Sequence, residues 1–182
     1  MKRKRQKESS KKGETITTII RGQNNRKMRF KSFLFTVFCA LSLISCSDNA
    51  LFDDYFVIEN HNWSYDKPVQ ISVDIPDASQ PYNVYINFRH TEEYNYSNIW
   101  LRLTQITPSG KKTTVREEFQ LAEQDGKWIG KGSGNLYSYR LIYKERFRFD
   151  TVGKHTFIIE QNMRDNPLKA VSDVGLRVEP AK

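Results

Sequence analysis

The chain has 182 residues, with 29 Lys or Arg against 21 Asp or Glu and a formal net charge of +8. That charge is unevenly placed: residues 1–45 hold 12 of the basic residues and two of the acidic ones, leaving 17 basic and 19 acidic residues in 46–182. The bulk of the chain is therefore slightly acidic and gives no reason to expect a nucleic-acid partner. Its two cysteines are Cys39 and Cys46, so nothing after position 46 can form a disulfide, a redox pair or a thiolate metal site.

In chain order, the first element is a secretory signal. Arg26, Lys27, Arg29 and Lys31 lead into the apolar run Phe33-Leu-Phe-Thr-Val-Phe-Cys-Ala-Leu-Ser-Leu-Ile-Ser-Cys46. Its ending, Leu43-Ile44-Ser45-Cys46, resembles a bacterial lipobox, in which cleavage before the cysteine leaves a thiol and a new α-amine for acylation. The uncharged stretch from Ser32 to Ser47 is 16 residues, short of the roughly 20 that a membrane-spanning helix needs. An uncleaved anchor is thus disfavoured, and two or more acyl chains on Cys46 would hold stably where one holds only marginally. The leader is long. Either Met28 is the true start, or residues 1–27 are an extended basic region. The expected organisation is a leader and signal peptide at 1–45, a lipidated tether at 46–50, and one folded domain at 51–182.

Period-two alternation dominates that domain. Val69-Gln-Ile-Ser-Val-Asp-Ile75 sets four aliphatic residues on one face, and Val84-Tyr-Ile-Asn-Phe88 and Ile99-Trp-Leu-Arg-Leu103 repeat the pattern. Weaker strands are expected at 113–121, 127–130, 140–144, 147–149, 155–160 and 174–178. Turn chemistry separates them at 76–81, 107–110, 124–126, 130–134 and 151–153. No window offers a sustained helical period, and only 160–164 leaves room for a turn or two. Many short, half-exposed strands predict an all-β fold, a single β-sandwich of jelly-roll or immunoglobulin-like type.

Catalytic chemistry is hard to place. His61, His90 and His155 have no His or Cys at ligand spacing. His90 and His155 fall at strand ends and read as turn or surface residues. Asp53-Asp54, Glu92-Glu93 and Glu117-Glu118 are adjacent pairs, and neighbours in a strand point to opposite faces. Carboxylates could still converge from separate strands as in a glycosidase. Gly130-Lys-Gly-Ser-Gly134 precedes no helix that could bind phosphate. No enzyme, cofactor or metal is expected. Aromatics crowd the middle of the chain, and Tyr85 and Trp100 fall out of phase with the aliphatic faces of their strands. They would either cover an outer sheet face or form a sugar- or protein-contact platform.

The segment from Pro81 through Tyr82, Tyr94, Tyr96 and Trp100 to Leu103 carries a likeness. So do Asp125-Gly-Lys-Trp-Ile-Gly-Lys-Gly-Ser-Gly134, Glu160-Gln-Asn-Met-Arg164 and Ser172-Asp-Val-Gly-Leu-Arg-Val-Glu179. With the lipobox and Leu51-Phe-Asp-Asp-Tyr55, this ordered set resembles the gliding-motility lipoprotein GldH family of Bacteroidota. The resemblance implies a cell-envelope lipoprotein needed for gliding where the cell glides, associated with surface-adhesin movement and type IX secretion. It supplies no catalytic residues. The expected location is membrane-anchored, in the outer membrane, through acylated Cys46, with other envelope motility or secretion proteins as partners. If a contact surface exists, the loop 89–98 and the strand after it carry it, through Arg89, Tyr94, Tyr96, Asn98 and Trp100. The alternative for that loop is a connection whose tyrosines fold back onto the core. The alternative function is a carbohydrate-binding or adhesion module.

Overall fold

The computed structural model of the protein describes residues 49–182, so the signal, Cys46 and the first residues of the tether lie outside the described residues. The strands are β1 (Phe52–Val57), β2 (Asn62–Trp63), β3 (Val69–Ile75), β4 (Tyr82–Thr91), β5 (Asn98–Ile106) and β6 (Lys112–Gln120). They continue with β7 (Lys131–Ser133), β8 (Leu136–Phe147), β9 (Gly153–Gln161), β10 (Leu168–Lys169) and β11 (Val171–Pro180). A 3₁₀ turn, Glu59–His61, separates β1 from β2.

Two antiparallel sheets carry the fold, one in the order β1-β11-β4-β8-β7 and the other β3-β9-β5-β6, with β10-β2 as a small third pair. Count the eight long strands β1, β3, β4, β5, β6, β8, β9 and β11 as one to eight. The sheets then read 1-8-3-6 and 2-7-4-5, the order of a jelly roll. This resolves the choice left open by the sequence, since an immunoglobulin fold joins its strands differently.

The alternation seen in the sequence becomes burial. On β3, Val69, Ile71, Val73 and Ile75 are buried and the residues between them exposed. Ile99, Leu101 and Leu103 on β5 face the same core as Val84, Ile86 and Phe88 on β4 and Val174, Leu176 and Val178 on β11. Burying each such side chain contributes roughly 1.5–3 kcal/mol. Strand β11 is buried along Val171–Val178 on both faces. After the bulge between Val171 and Asp173, Val174, Leu176 and Val178 meet the core, while Asp173 and Arg177 lie on the outer face beside Arg89 and Asp53.

Several local expectations are corrected. Residues 127–130 form no strand: Trp128 makes one bridge to Ala122, and Ile129 donates to the Leu121 carbonyl at 2.9 Å. The glycine-rich stretch instead holds β7, because Gly134 at φ 62° supplies the turn into β8. Positions 140–144 and 147 belong to one strand, β8. No helix forms near 160–164, where β9 runs to Gln161. His90 and His155 are both fully buried rather than at the surface. Among the described residues no helix is long and apolar enough to cross a membrane.

Candidate contact surfaces

Two faces of the sandwich gather chemically distinctive side chains. The first is the outer face of the five-stranded sheet. The register sets Asp53 beside Arg177, Asp173 beside Arg89, and Asn87 beside Arg140. Asp53 is the hub: its carboxylate accepts from Arg177 Nη1, from Asn87 Nδ2 at 2.7 Å and from Arg140 Nη2 at 3.4 Å. Arg177 also donates to Glu179 at 2.6 and 2.7 Å. Arg89 pairs with Asp173 at 3.0 Å and lies 4.3 Å over the Tyr55 ring. Burial, followed by the charge of Asp53, pushes the Tyr55 phenol up. Burial and Glu179 do the same at Tyr85.

A groove of about 430 Å³ opens beside this layer, lined by Tyr55, Gln120, Ile129, Gly130, Lys131, Ser138, Tyr139, Arg140 and Leu141. It forms where β7 ends. The chain at Ile129 leaves β8 to bond with Leu121, so among the described residues β8 has no strand partner on that side beyond Ser138. Gly130 passes against the Tyr139 ring so closely that a Cβ there would stand 2.5 Å from it. The Tyr139 hydroxyl has one proton to share between the Leu121 carbonyl at 2.9 Å and His90 Nε2 at 3.1 Å, and it accepts from the Gly130 backbone N–H. Burial raises its pKa to about 12, which keeps it a neutral phenol.

The second face is the end of the four-stranded sheet where the loop after β4 meets residues 161–166. Here the structure places the contact residues expected from sequence, and it separates them. Tyr96 donates to Asp165 Oδ2 at 2.5 Å, and Asn98 donates to Glu118 Oε1 at 2.5 Å. The Arg116 guanidinium covers Trp100 at 3.9 Å, and the Trp100 backbone N–H points at Met163 Sδ at 3.2 Å. Tyr96, Asn98 and Trp100 thus share one surface. Tyr94 does not join it: its ring is 3% exposed, stacked on His90 at 4.8 Å between centroids, and its hydroxyl donates to the Asn98 carbonyl at 3.1 Å. That correction has a simple cause, since a ring following the strand end folds back to complete the core. Arg89 lies on the opposite sheet, tied to Asp173.

His90 sits within a cage of Phe88, Tyr94, Trp128, Tyr137 and Tyr139. Its Nδ1 lies 2.7 Å from the Thr91 carbonyl, which fixes the proton there and leaves Nε2 as an acceptor. Desolvation lowers its pKa. His155 is similarly enclosed, with Nε2 2.8 Å from the Thr151 carbonyl. Among the described residues no three His, Cys, Asp or Glu stand together as ligands for one ion. Asp53 and Asp173 are paired with arginines, while the two enclosed imidazoles are held by the backbone carbonyls of Thr91 and Thr151.

Sequence reading missed Tyr55, Asn87, Lys131, Arg140, Asp173 and Arg177. The signal was present: Asp173, Arg177 and Glu179 alternate with Val174, Leu176 and Val178. What was missing was the partner strand, which lies about 90 or 120 residues earlier in the chain.

The comparisons with known proteins bear on the whole domain. The GldH lipoprotein family model matches residues 50–178. A "Gliding motility lipoprotein GldH homolog" of Christiangramia forsetii is 34% identical over 158 residues, 82% of this chain and 95% of that protein. The "Gliding motility lipoprotein GldH" of Flavobacterium johnsoniae is 30% identical over 159 residues, 84% of this chain and 98% of that protein. Among solved structures, a carbohydrate-binding module specific for non-crystalline cellulose aligns over 76% of this chain and 93% of its own at 8% identity. Its TM-score of 0.34 is too low to carry an argument. With the family model spanning nearly all of the described domain and two relatives matched almost end to end, the chain belongs to the GldH lipoprotein family, the membrane-anchored lipoproteins named for gliding motility.

Proposed function

We propose that the protein is a non-enzymatic accessory of the envelope machinery for gliding motility or type IX secretion, held in the outer membrane by acylated Cys46 and working through protein contacts. The observation that carries this reading is the family match across the entire jelly roll, residues 50–178. The side-chain arrangement supports it. Asp53, Asp173 and Glu160 are each engaged by an arginine, and both buried histidines are enclosed, so the polar groups best suited to chemistry serve the fold. Tethering by acyl chains would confine the domain to two dimensions and raise its effective concentration near a partner in the same membrane.

A glycan platform at Trp100 fits less well. A stacking sugar needs an open ring face, and the Arg116 guanidinium occupies one at 3.9 Å while bonding Asn162 Oδ1 at 2.5 Å. The test is mild crosslinking of the tagged full chain in its native cells, then detergent co-purification and mass spectrometry. Recovery of motility or type IX secretion components is expected. Recovery of glycan-uptake proteins, or of lipid alone, would overturn the reading.

A further inference from the structure

We propose that the uncovered edge of β8, at residues 139–143, is a docking site that takes an acidic, extended segment of another polypeptide as an added strand. The proposal rests on the reading that the domain works by protein contact, and it names where and with what chemistry.

A sheet edge presents unpaired backbone N–H and C=O groups, and folded proteins shield such edges with bulges, charged side chains or covering segments. The far end of β8 is shielded in this way. The β4–β8 register slips twice at Tyr82, Val84 and Tyr85, Arg146 adopts φ 48°, and Lys144, Glu145 and Arg146 crowd the end. The near end is not. There β7 covers only Leu136 to Ser138, because Ile129 is drawn away to Leu121 on the other side of the sandwich. Among the described residues, about five residues of strand remain without a partner on this edge, roughly 17 Å at about 3.3 Å per residue. The groove of about 430 Å³ lies along this stretch, since its lining takes Tyr139 and Leu141 from one face of β8 and Arg140 from the other. A groove that straddles a strand edge suits a strand better than a compact ligand.

The charge of the lining selects the occupant. Lys131 and Arg140 are its charged residues, and it holds no acidic side chain. Lys131 is exposed, and Arg140 is about half exposed with its nearest carboxylate, Asp53, at 3.4 Å. Both can turn toward an incoming carboxylate. Tyr55, Ser138 and Gln120 add neutral hydrogen-bonding groups, and Ile129, 51% exposed, offers an apolar contact for an alternate side chain. Glu117, on β6, lies beside Tyr143 and Lys144 at the far end of the stretch, and it is not among the residues that line the groove. The chain's own first 45 residues, with twelve basic and two acidic side chains, have the wrong sign to occupy it.

The test uses the full chain in detergent and three fluorescent decapeptides that alternate Val or Thr with Glu, with Lys, or with Glu and two Pro substitutions in place of Val. Fluorescence anisotropy should show the Glu peptide binding at least tenfold more tightly than the Lys peptide, with affinity falling as salt rises. The Pro-bearing peptide keeps the charge but loses backbone donors, so it should bind at least tenfold more weakly than its parent. Lys131→Glu with Arg140→Gln, both at exposed or half-exposed positions, should abolish the preference while leaving the thermal unfolding profile in place. Equal binding of the Glu and Lys peptides, indifference to proline, binding of none of them, or self-association of the chain through this edge would overturn the proposal. Should these fail while crosslinking still recovers motility proteins, the docking edge falls and the accessory role stands.

Discussion

Arg177 on β11 reaches Asp53 on β1 across the sheet, and the other side of its guanidinium is held by Glu179 at 2.6 Å. The arginine is only 4% exposed, so its charge is stabilised by these two carboxylates rather than by water. Removing one member of a buried ion pair leaves the other uncompensated, at a cost of about 3–5 kcal/mol. Asp53→Ala should approach the lower part of that range, because Glu179 still holds Arg177. Arg177→Ala should cost more, since it takes the guanidinium from both Glu179 and Asp53, leaving Asp53 only Asn87 and the more distant Arg140, and it opens a void. The double change Asp53→Asn with Arg177→Met should recover much of the loss, which urea unfolding of the three variants would measure.

The two tyrosines that sequence places together in the loop after β4 should behave differently. Tyr94 is in the core among Phe88, His90 and Trp128, so Tyr94→Ala should cost about 3–5 kcal/mol, as for other buried aromatics. Tyr96 meets Asp165 at the surface, and Tyr96→Ala should leave the unfolding midpoint almost unmoved. Comparing the two denaturation curves checks this. A strong loss at Tyr96 alone would mean that residues 161–166 depend on its contact.

The same loop shows how much of the fold was legible. Strands such as β3 were readable because one face is buried and the other wet, so hydrophobicity alternates at every step. Strand β1 was not, because Phe52, Asp53, Asp54 and Tyr55 follow no alternation: Asp53 is kept by a cross-strand arginine that a local pattern cannot reveal. Trp63, fully buried on the two-residue β2, has its indole N–H on the Lys67 carbonyl at 3.0 Å, a contact that no periodicity marks. The surface at Tyr96, Asn98 and Trp100 was visible as an aromatic cluster. The β8 groove was invisible, because it arises from where residue 129 goes rather than from what it is.

His90 gives the domain a defined acid sensitivity. The folded state holds its ring neutral, with the pKa lowered by desolvation from the ordinary 6.5. Below about pH 6.5 the unfolded chain therefore binds a proton that the folded chain does not, and stability falls as pH drops toward the folded-state value. The neighbours are phenols, an indole and a phenyl ring, and burial pushes Tyr94 and Tyr139 further above 10, so none compensates. Melting temperature measured between pH 7.5 and 5 should fall in the wild type. In His90→Asn, which keeps a donor for the Thr91 carbonyl, the starting value should be lower and the slope shallower. An unchanged slope would mean that His90 is not the group responsible.

On the proposed anchoring through Cys46, Cys46→Ser should leave the folded domain intact and move the protein out of the membrane fraction, because the 16 uncharged residues from Ser32 to Ser47 are short for a spanning helix. Fractionation with metabolic labelling by a palmitate analogue reads both effects at once. Retention in the membrane without label would show that the signal remains uncleaved as an anchor.

Gly175 and Gly130 separate two kinds of close approach. At Gly175, in the middle of β11, an added Cβ would stand 1.9 Å from the backbone oxygen of Asp54. Nothing there can rotate aside, so β1 must move as a strand. That movement would also pull Asp53 from Arg177. At Gly130 the obstacle is the Tyr139 ring at 2.5 Å, a side chain that can shift if it gives up its bond to Leu121. Overpacking generally costs about 1–3 kcal/mol. Gly175→Ala should meet or exceed the top of that range, and Gly130→Ala should fall within it. Native-state hydrogen exchange distinguishes the mechanisms: Gly175→Ala should deprotect β1 and its partners on β11 selectively, and Gly130→Ala should loosen the amides around Leu121. If both changes lowered stability equally and without local deprotection, the strain would be spread through the sandwich rather than carried by β1.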